Sequence, residues 1–264
     1  MSKPQRSDVW LMLIVAILMI GGLMMVYSAS ATGNMASNAE FKYLIRQLIA
    51  MAVGLGLATI AAFTPTYRLR EYHLGVYLFC GGLLILCLIP GIGHSSHGAS
   101  RWIGFGPVNF QPSAFAKMAV LISLAKFLHD WRGQIHQLPI LLRAAIIPLP
   151  LMTLILIEPD FGSTLIIGTL SFAMLVVAGM HWRHLFTAAG TLFVAGAAIL
   201  MMADYRRRRV MTFWNPWEFK DAEGYQIIQG WIAMHMGGFS GQGLGNSVAK
   251  RNFLPEPWTD FIAA

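Results

Sequence analysis

The chain has 264 residues, of which 56% are hydrophobic and only 12% charged, and it carries a formal net charge of +7. The charged residues cluster between long apolar runs, a pattern that excludes a soluble domain. The positive balance does not point to nucleic acid: most of it lies in short connectors, where membrane topology places it and where it suits anionic lipids.

A run of about 18 or more mainly apolar residues crosses the roughly 30 Å hydrocarbon core as a helix, because a helix or closed barrel alone satisfies its own backbone hydrogen bonds there. Such runs predict spans near 9–28, 44–63, 73–92, 112–129, 139–157, 161–179 and 184–203. The fold class is therefore all-α, a polytopic transmembrane helical bundle with about seven spans. The first run is of span length and has no small-x-small cleavage site before Ser28–Asn38, so it reads as a retained helix rather than a signal peptide. Residues 1–203 form the membrane region, and 204–264 a long outer segment.

Lys and Arg near span ends stay in the cytoplasm. With the N-terminus inside, the inner side receives Lys3, Arg6, Arg68, Arg70, Lys126, Arg132, Arg143 and Arg183, against Lys42, Arg46 and Arg101 in the short outer loops. Arg206 to Arg209 fall outside, but long segments are exempt from the rule. Cys80 and Cys87 sit seven residues apart on one apolar helix, too far along its axis to bridge each other, and read as packing residues. No internal repeat is visible, which removes one support for an inverted-repeat transporter.

Three outer segments are more specific than connectors. From Gly91 to Lys117 the chain reads GIGHSSHGASRWIGFGPVNFQPSAFAK, a Gly- and Pro-punctuated loop leading into the fourth span. Arg101 and Trp102 suit the water interface. Lys117 lies about one turn inside an apolar helix, where it either snorkels or faces a polar cavity. Glu158-Pro159-Asp160 is the whole connection between the fifth and sixth spans. Asp160 can cap the following helix, and it can offer a counter-charge to Lys117. Two acids on one tight turn do not flank a substrate as a glycosidase pair would.

The third segment, from residue 204, passes through DYRRRRV and FWNPW into an amphipathic stretch around Tyr225–Met236 that suits an interfacial helix. Its Gly-rich GGFSGQGLGN lacks the strand, helix and Gly-Lys-Ser/Thr ending of a nucleotide loop. His94, His97 and His235 form no zinc set by spacing, so no metal site is expected.

GASRWI at 98–103, QPSAFAK at 111–117, EPDFGS at 158–163, FWNPW with GYQ at 213–226, GQGLGNS at 241–247 and LPEPWTDF at 254–261 occur in the order of one family. In these strings the chain resembles the SEDS family (shape, elongation, division and sporulation) of peptidoglycan glycosyltransferases. RRRRVMTFWNPW looks closer to the division branch than to the elongation branch. The resemblance implies polymerisation of lipid II at the outer face of the cytoplasmic (inner) membrane, at the division septum. It implies a class B penicillin-binding protein and other division proteins as partners. No resident cofactor is implied, with room left for a divalent cation.

Carried onto matching positions, the resemblance makes Asp260 the catalytic base, and Arg101, Lys117 and Asp160 substrate-binding residues. By spacing alone Thr259-Asp260 would read as a helix cap. Ala114 stands where the family usually carries Glu, and Trp258 where it commonly carries His. The family fold has about ten spans, helices being the open-ended way across lipid. The chain stops four residues after Asp260, where an eighth span would begin, and on this reading makes no glycan alone. A lipid II flippase or an inactive division scaffold is the alternative.

Overall fold

The computed structural model describes residues 6–31, 39–89, 93–96, 99–105, 108–202, 204–238, 240–243, 245–247 and 262. Contacts group the chain into two units, one of residues 1–55 and 196–264, the other of 56–195.

The expected spans are helical. In chain order the helices are α1 Arg6–Ala31, α2 Ala39–Phe63, α3 Thr66–Glu71, α4 His73–Leu88, α5 Pro112–Asp130, α6 Leu138–Ile146, α7 Leu149–Ile157, α8 Phe161–Val177, α9 Trp182–Met201, α10 Asp204–Trp214 and α11 Glu223–Gly237. Val9–Ser30, Tyr43–Phe63, Leu138–Ile157 and Trp182–Met201 are long and apolar enough to cross a membrane by length and composition. Large apolar side chains such as Trp10, Leu18, Phe63, Phe79 and Phe193 are exposed. In water such a surface would drive association, whereas lipid tails are its natural solvent.

Helix α5 carries Lys117 and Lys126 yet is the core of the 56–195 unit. Its Ala116, Ala119 and Val120 pack with Cys80 and Leu84 of α4, Leu151 and Ile155 of α7, and Ile167 of α8. Further along, Leu124 meets Leu141 and Ala144 of α6 and Leu175 of α8. Small residues on α5 let these helices approach closely, the arrangement that van der Waals packing favours when lipid supplies no hydrophobic drive. Cys80 and Cys87 are buried free thiols, in keeping with a packing role.

Three connectors differ from their sequence reading. The loop before the fourth span contains an antiparallel sheet of β1 Gly93–Ser96, β2 Ala99–Phe105 and β3 Val108–Phe110 in the order β1-β2-β3. Ile103 pairs with both Gly93 and Phe110. Trp102, Ile103 and Phe105 favour a pleated surface, and strand pairing satisfies backbone groups beside the membrane. Phe110 stacks on Phe115 at 4.6 Å and ties the sheet to α5.

The span expected at 139–157 is two helices, broken at Ile147-Pro148 because proline has no N–H to continue the ladder. The Tyr77 hydroxyl donates to the Ile147 carbonyl at 2.6 Å, beside the break. Helices α3 and α10 were not anticipated. Both are short or highly charged, which hides them from an apolar-run criterion.

The amphipathic stretch near 225–236 is α11, which packs against a 3-10 turn at Pro216–Phe219. The glycine of GYQ has a steric reason: a Cβ at Gly224 would lie 2.2 Å from the Pro216 carbonyl oxygen.

Segments that the charge bias assigns to one side are also joined in space. Arg70 bonds Asp130 at 2.7 Å, linking the 64–72 connector to the end of α5, while Ser113 at its start bonds Asp160. The 19 residues of α5 rise about 28 Å, close to the hydrocarbon thickness, so these two clusters mark opposite boundaries. In spheroplasts of a variant whose buried cysteines are replaced, a membrane-impermeant thiol reagent is expected to label a cysteine at Glu218 and to spare one at Arg68 until the membrane is opened. Strong labelling at Arg68 in intact spheroplasts would invert the topology.

Candidate functional site

The turn between α7 and α8 is the polar centre of the 56–195 unit. Asp160 is the N-cap of α8, and one carboxylate oxygen accepts from the Ser163 N–H at 3.1 Å. Its other oxygen accepts from the Ser113 hydroxyl at 3.1 Å and the Gln111 amide at 3.2 Å. The Asp160 carbonyl accepts from the Thr164 hydroxyl at 3.0 Å. A residue at this position needs a short acceptor side chain to reach the first N–H groups of the helix, and Asp provides one. The capping role anticipated from spacing is thus present, with a second helix recruited to the same carboxylate.

Arg101 reaches the turn from β2. Its Nε donates to the Glu158 carbonyl at 3.2 Å, and one terminal nitrogen donates to the Pro159 carbonyl. A guanidinium has five N–H donors, so others remain for an anion. Lys117 lies one turn beyond Ser113 on α5, about 6 Å along the axis. It is half-buried and makes no hydrogen bond or ion pair with a described residue. The expected pairing of Lys117 with Asp160 is therefore not formed, because Ser113, Gln111 and Ser163 already occupy that carboxylate. Ala114 is exposed.

Glu158 was not singled out from the sequence as distinct from its neighbour. It is 1% exposed, and neither carboxylate oxygen has a hydrogen-bond partner among the described residues. Asp160 is 6% exposed. Burial pushes Glu158 up from 4.5 to about 7, the Asp160 charge adds to the rise, and Arg101 opposes it. Burial also works against ionisation of Asp160, but hydrogen bonds from Ser163 and Ser113 and the Arg101 charge outweigh it and hold that carboxyl below its ordinary value. The pair thus divides into an ionised, fully bonded acid and an acid that holds its proton toward neutrality.

Glu158 binds its proton more tightly folded than unfolded, so stability falls as pH rises from 4.5 toward 7 and levels off above. At roughly 1.4 kcal/mol per pKa unit the loss is about 3 kcal/mol. Glu158→Gln is expected to remove most of this slope, and to melt higher than the parent in detergent at pH 8. Identical pH–stability curves for parent and variant would show that Glu158 is not the titrating group.

Asp260 lies outside the described residues, as do His97 and the rest of LPEPWTDF. Among the described residues no group of three or more His, Cys, Asp or Glu side chains could hold a metal ion. Gln111, Ser113 and Ser163, the cradle of Asp160, had no role assigned from sequence. Their signal was the occurrence of polar residues at the first turns of two otherwise apolar helices.

Apolar spans around a buried acidic turn, with cations at one membrane boundary, define a polytopic membrane protein with a polar site at its rim. The chain belongs to the FtsW/RodA/SpoVE family of cell cycle proteins, whose model matches residues 9–264. It is 35% identical over 262 residues to the probable peptidoglycan glycosyltransferase FtsW of Halothiobacillus neapolitanus, covering 98% of this chain and 63% of that protein. It is also 35% identical to the stage V sporulation protein E of Bacillus subtilis, covering 100% of this chain and 72% of that one.

Two solved structures share the fold. A peptidoglycan synthase complex, solved for its coordination of polymerization and crosslinking, matches 83% of this chain and 63% of its counterpart with a TM-score of 0.63 and 30% identity. The rod shape determining protein RodA of Thermus thermophilus matches 70% and 58%, with a TM-score of 0.55 and 31% identity. The chain thus spans about two thirds of the length of these relatives.

Proposed function

We propose that the chain belongs to a peptidoglycan glycosyltransferase that polymerises lipid II at the outer face of the cytoplasmic membrane during division. The observation that carries this reading is the pair of cations at the Asp160 boundary, Arg101 with donors to spare and Lys117 without a partner among the described residues. It occurs in a chain similar along nearly its whole length to a protein named a probable peptidoglycan glycosyltransferase.

In the reaction the acceptor's sugar hydroxyl attacks the anomeric carbon of the lipid-linked donor. The bond to the pyrophosphate breaks, and undecaprenyl pyrophosphate leaves. Negative charge grows on the leaving group, so fixed cations beside it lower the barrier. Arg101 and Lys117 take that part. Asp160 serves substrate binding by holding α5, α8 and the turn that Arg101 bonds in one geometry. The attacking hydroxyl gives its proton to Asp260, the base, which must sit within hydrogen-bond reach. A class B penicillin-binding protein cross-links the product, a partnership supported by the similarity to a complex that couples the two steps.

Fluorescent lipid II in proteoliposomes tests the reading. The experiment uses a chimera that continues this chain with the remaining length of the Halothiobacillus relative, together with a class B penicillin-binding protein. Glycan ladders are expected. Transfer between leaflets without ladders would establish a flippase, and neither activity would leave a scaffold.

A further inference from the structure

At the end of α5 remote from Asp160, the helix runs as a ridge between two grooves. One, of about 540 Å³, lies between α5 and α8, with Ala125 and Ala173 among its lining, Leu170 and Val177 along α8, and His129 and Arg132 on the α5 side. The other, of about 420 Å³, lies between α3 and α5 and includes Arg70, Lys126 and, again, His129. Both fall in the size range of small-molecule sites.

The larger groove is apolar along its length and cationic at one end. Leu170 to Val177 rises about 10 Å along α8, and both side chains are exposed. Arg132 follows the last turn of α5, so it stands where the groove meets the membrane boundary. Asp130 accepts from Lys126 at 2.6 Å and from Arg70 at 2.7 Å, so one carboxylate serves two cations. Arg132 and His129 are exposed, and their side chains make no hydrogen bond or ion pair with a described residue. The surplus is thus positive, and it lies on the side that the charge bias assigns to the cytoplasm.

An occupant complementary to this surface carries an anion at one end and an apolar chain along about two helical turns. We propose that the α5–α8 groove binds an anionic glycerophospholipid of the inner leaflet, its phosphate on Arg132 and His129 and an acyl chain along Ala125, Leu170, Ala173 and Val177. Basic pockets between transmembrane helices on the cytoplasmic side suit such headgroups. A phosphate bonded to a guanidinium in this setting gains charge-assisted hydrogen bonds that a zwitterionic lipid, with its own ammonium nearby, satisfies less well. The smaller groove, sharing His129, offers room for a second chain.

The full chain in detergent is titrated with phosphatidylglycerol, with phosphatidylethanolamine of the same acyl chains, and with water-soluble glycerol phosphate. Lipid retention is read by native mass spectrometry and melting temperature by intrinsic fluorescence. Phosphatidylglycerol is expected to raise the melting temperature by a few degrees and to survive as a bound adduct. Arg132→Gln with His129→Gln is expected to weaken its binding at least about tenfold, through loss of both headgroup contacts. Ala173→Phe, at an exposed position where folding is not threatened, fills the groove and weakens binding with all charges kept. Arg183→Gln, elsewhere on the same face, leaves binding unchanged. The proposal is overturned by equal stabilisation from phosphatidylethanolamine or glycerol phosphate, by groove variants that bind like the parent, or by an equal loss in Arg183→Gln.

Discussion

Asp160→Ala is expected to lower the stability of the protein by about 3 kcal/mol, combining a lost helix cap of about 1 kcal/mol with unsatisfied buried donors at about 1–3 kcal/mol. Three donors converge on this carboxylate: the Ser163 N–H, the Ser113 hydroxyl and the Gln111 amide. Alanine strands the Ser163 N–H and the Gln111 amide, and leaves the Ser113 hydroxyl only the Ser163 hydroxyl, in a site where Asp160 itself is only 6% exposed. The contact between α5 and α8 loses its shared carboxylate at that end and keeps the Ser113–Ser163 hydroxyl contact at 3.4 Å. For a chain of this size the melting temperature should fall by about 6–12 °C.

Asp160→Asn keeps an acceptor oxygen for capping and should recover much of the loss. The lowered pKa of Asp160 sets the pH range: its stabilisation is complete above 3.8 and fades as pH falls through the folded value, so the comparison belongs near neutrality. An Asp160→Ala protein that melted within 1–2 °C of the parent, about what a half-kcal change produces, would show that the cradle contributes little.

In the chimera, Asp260→Asn is expected to reduce lipid II polymerisation by about 10²–10⁴-fold, the range that a positioned general base contributes. Asparagine matches aspartate in size and still caps a helix, but its amide cannot accept the proton of the attacking hydroxyl. Protein level and melting temperature should be unchanged, which separates loss of chemistry from loss of fold. Lipid II binding, measured by co-purification, should also persist, because Arg101 and Lys117 are untouched. Ladders from Asp260→Asn at near the parental rate, with the penicillin-binding protein present, would reduce Asp260 to a cap and remove it from the mechanism.

The helices were legible in the sequence as long apolar runs, and four of them among the described residues are long and apolar enough to cross lipid, which demands about 20 such residues in a row. Helix α5, expected as a span at 112–129, is helical over Pro112–Asp130, although its two lysines blunt its hydropathy. The family was legible for a related reason: short strings such as EPDFGS and QPSAFAK are too specific to arise from hydropathy alone.

The break at Pro148, the small sheet and the helices α3 and α10 were not legible. Each satisfies backbone hydrogen bonds locally at or beside the membrane boundary, where apolar runs carry no signal. The Glu158-Pro159-Asp160 turn shows the same division at the level of single residues. Sequence determined that Asp160 could cap α8, because capping is a matter of a few adjacent positions. Only tertiary structure decided that Ser113 and Gln111, nearly fifty residues away, complete the same carboxylate and leave Lys117 without it. It also decided which of two neighbouring acids would be bonded and which buried without a partner among the described residues. Burial and hydrogen bonding depend on what other helices bring to the turn, and one-dimensional spacing does not record that.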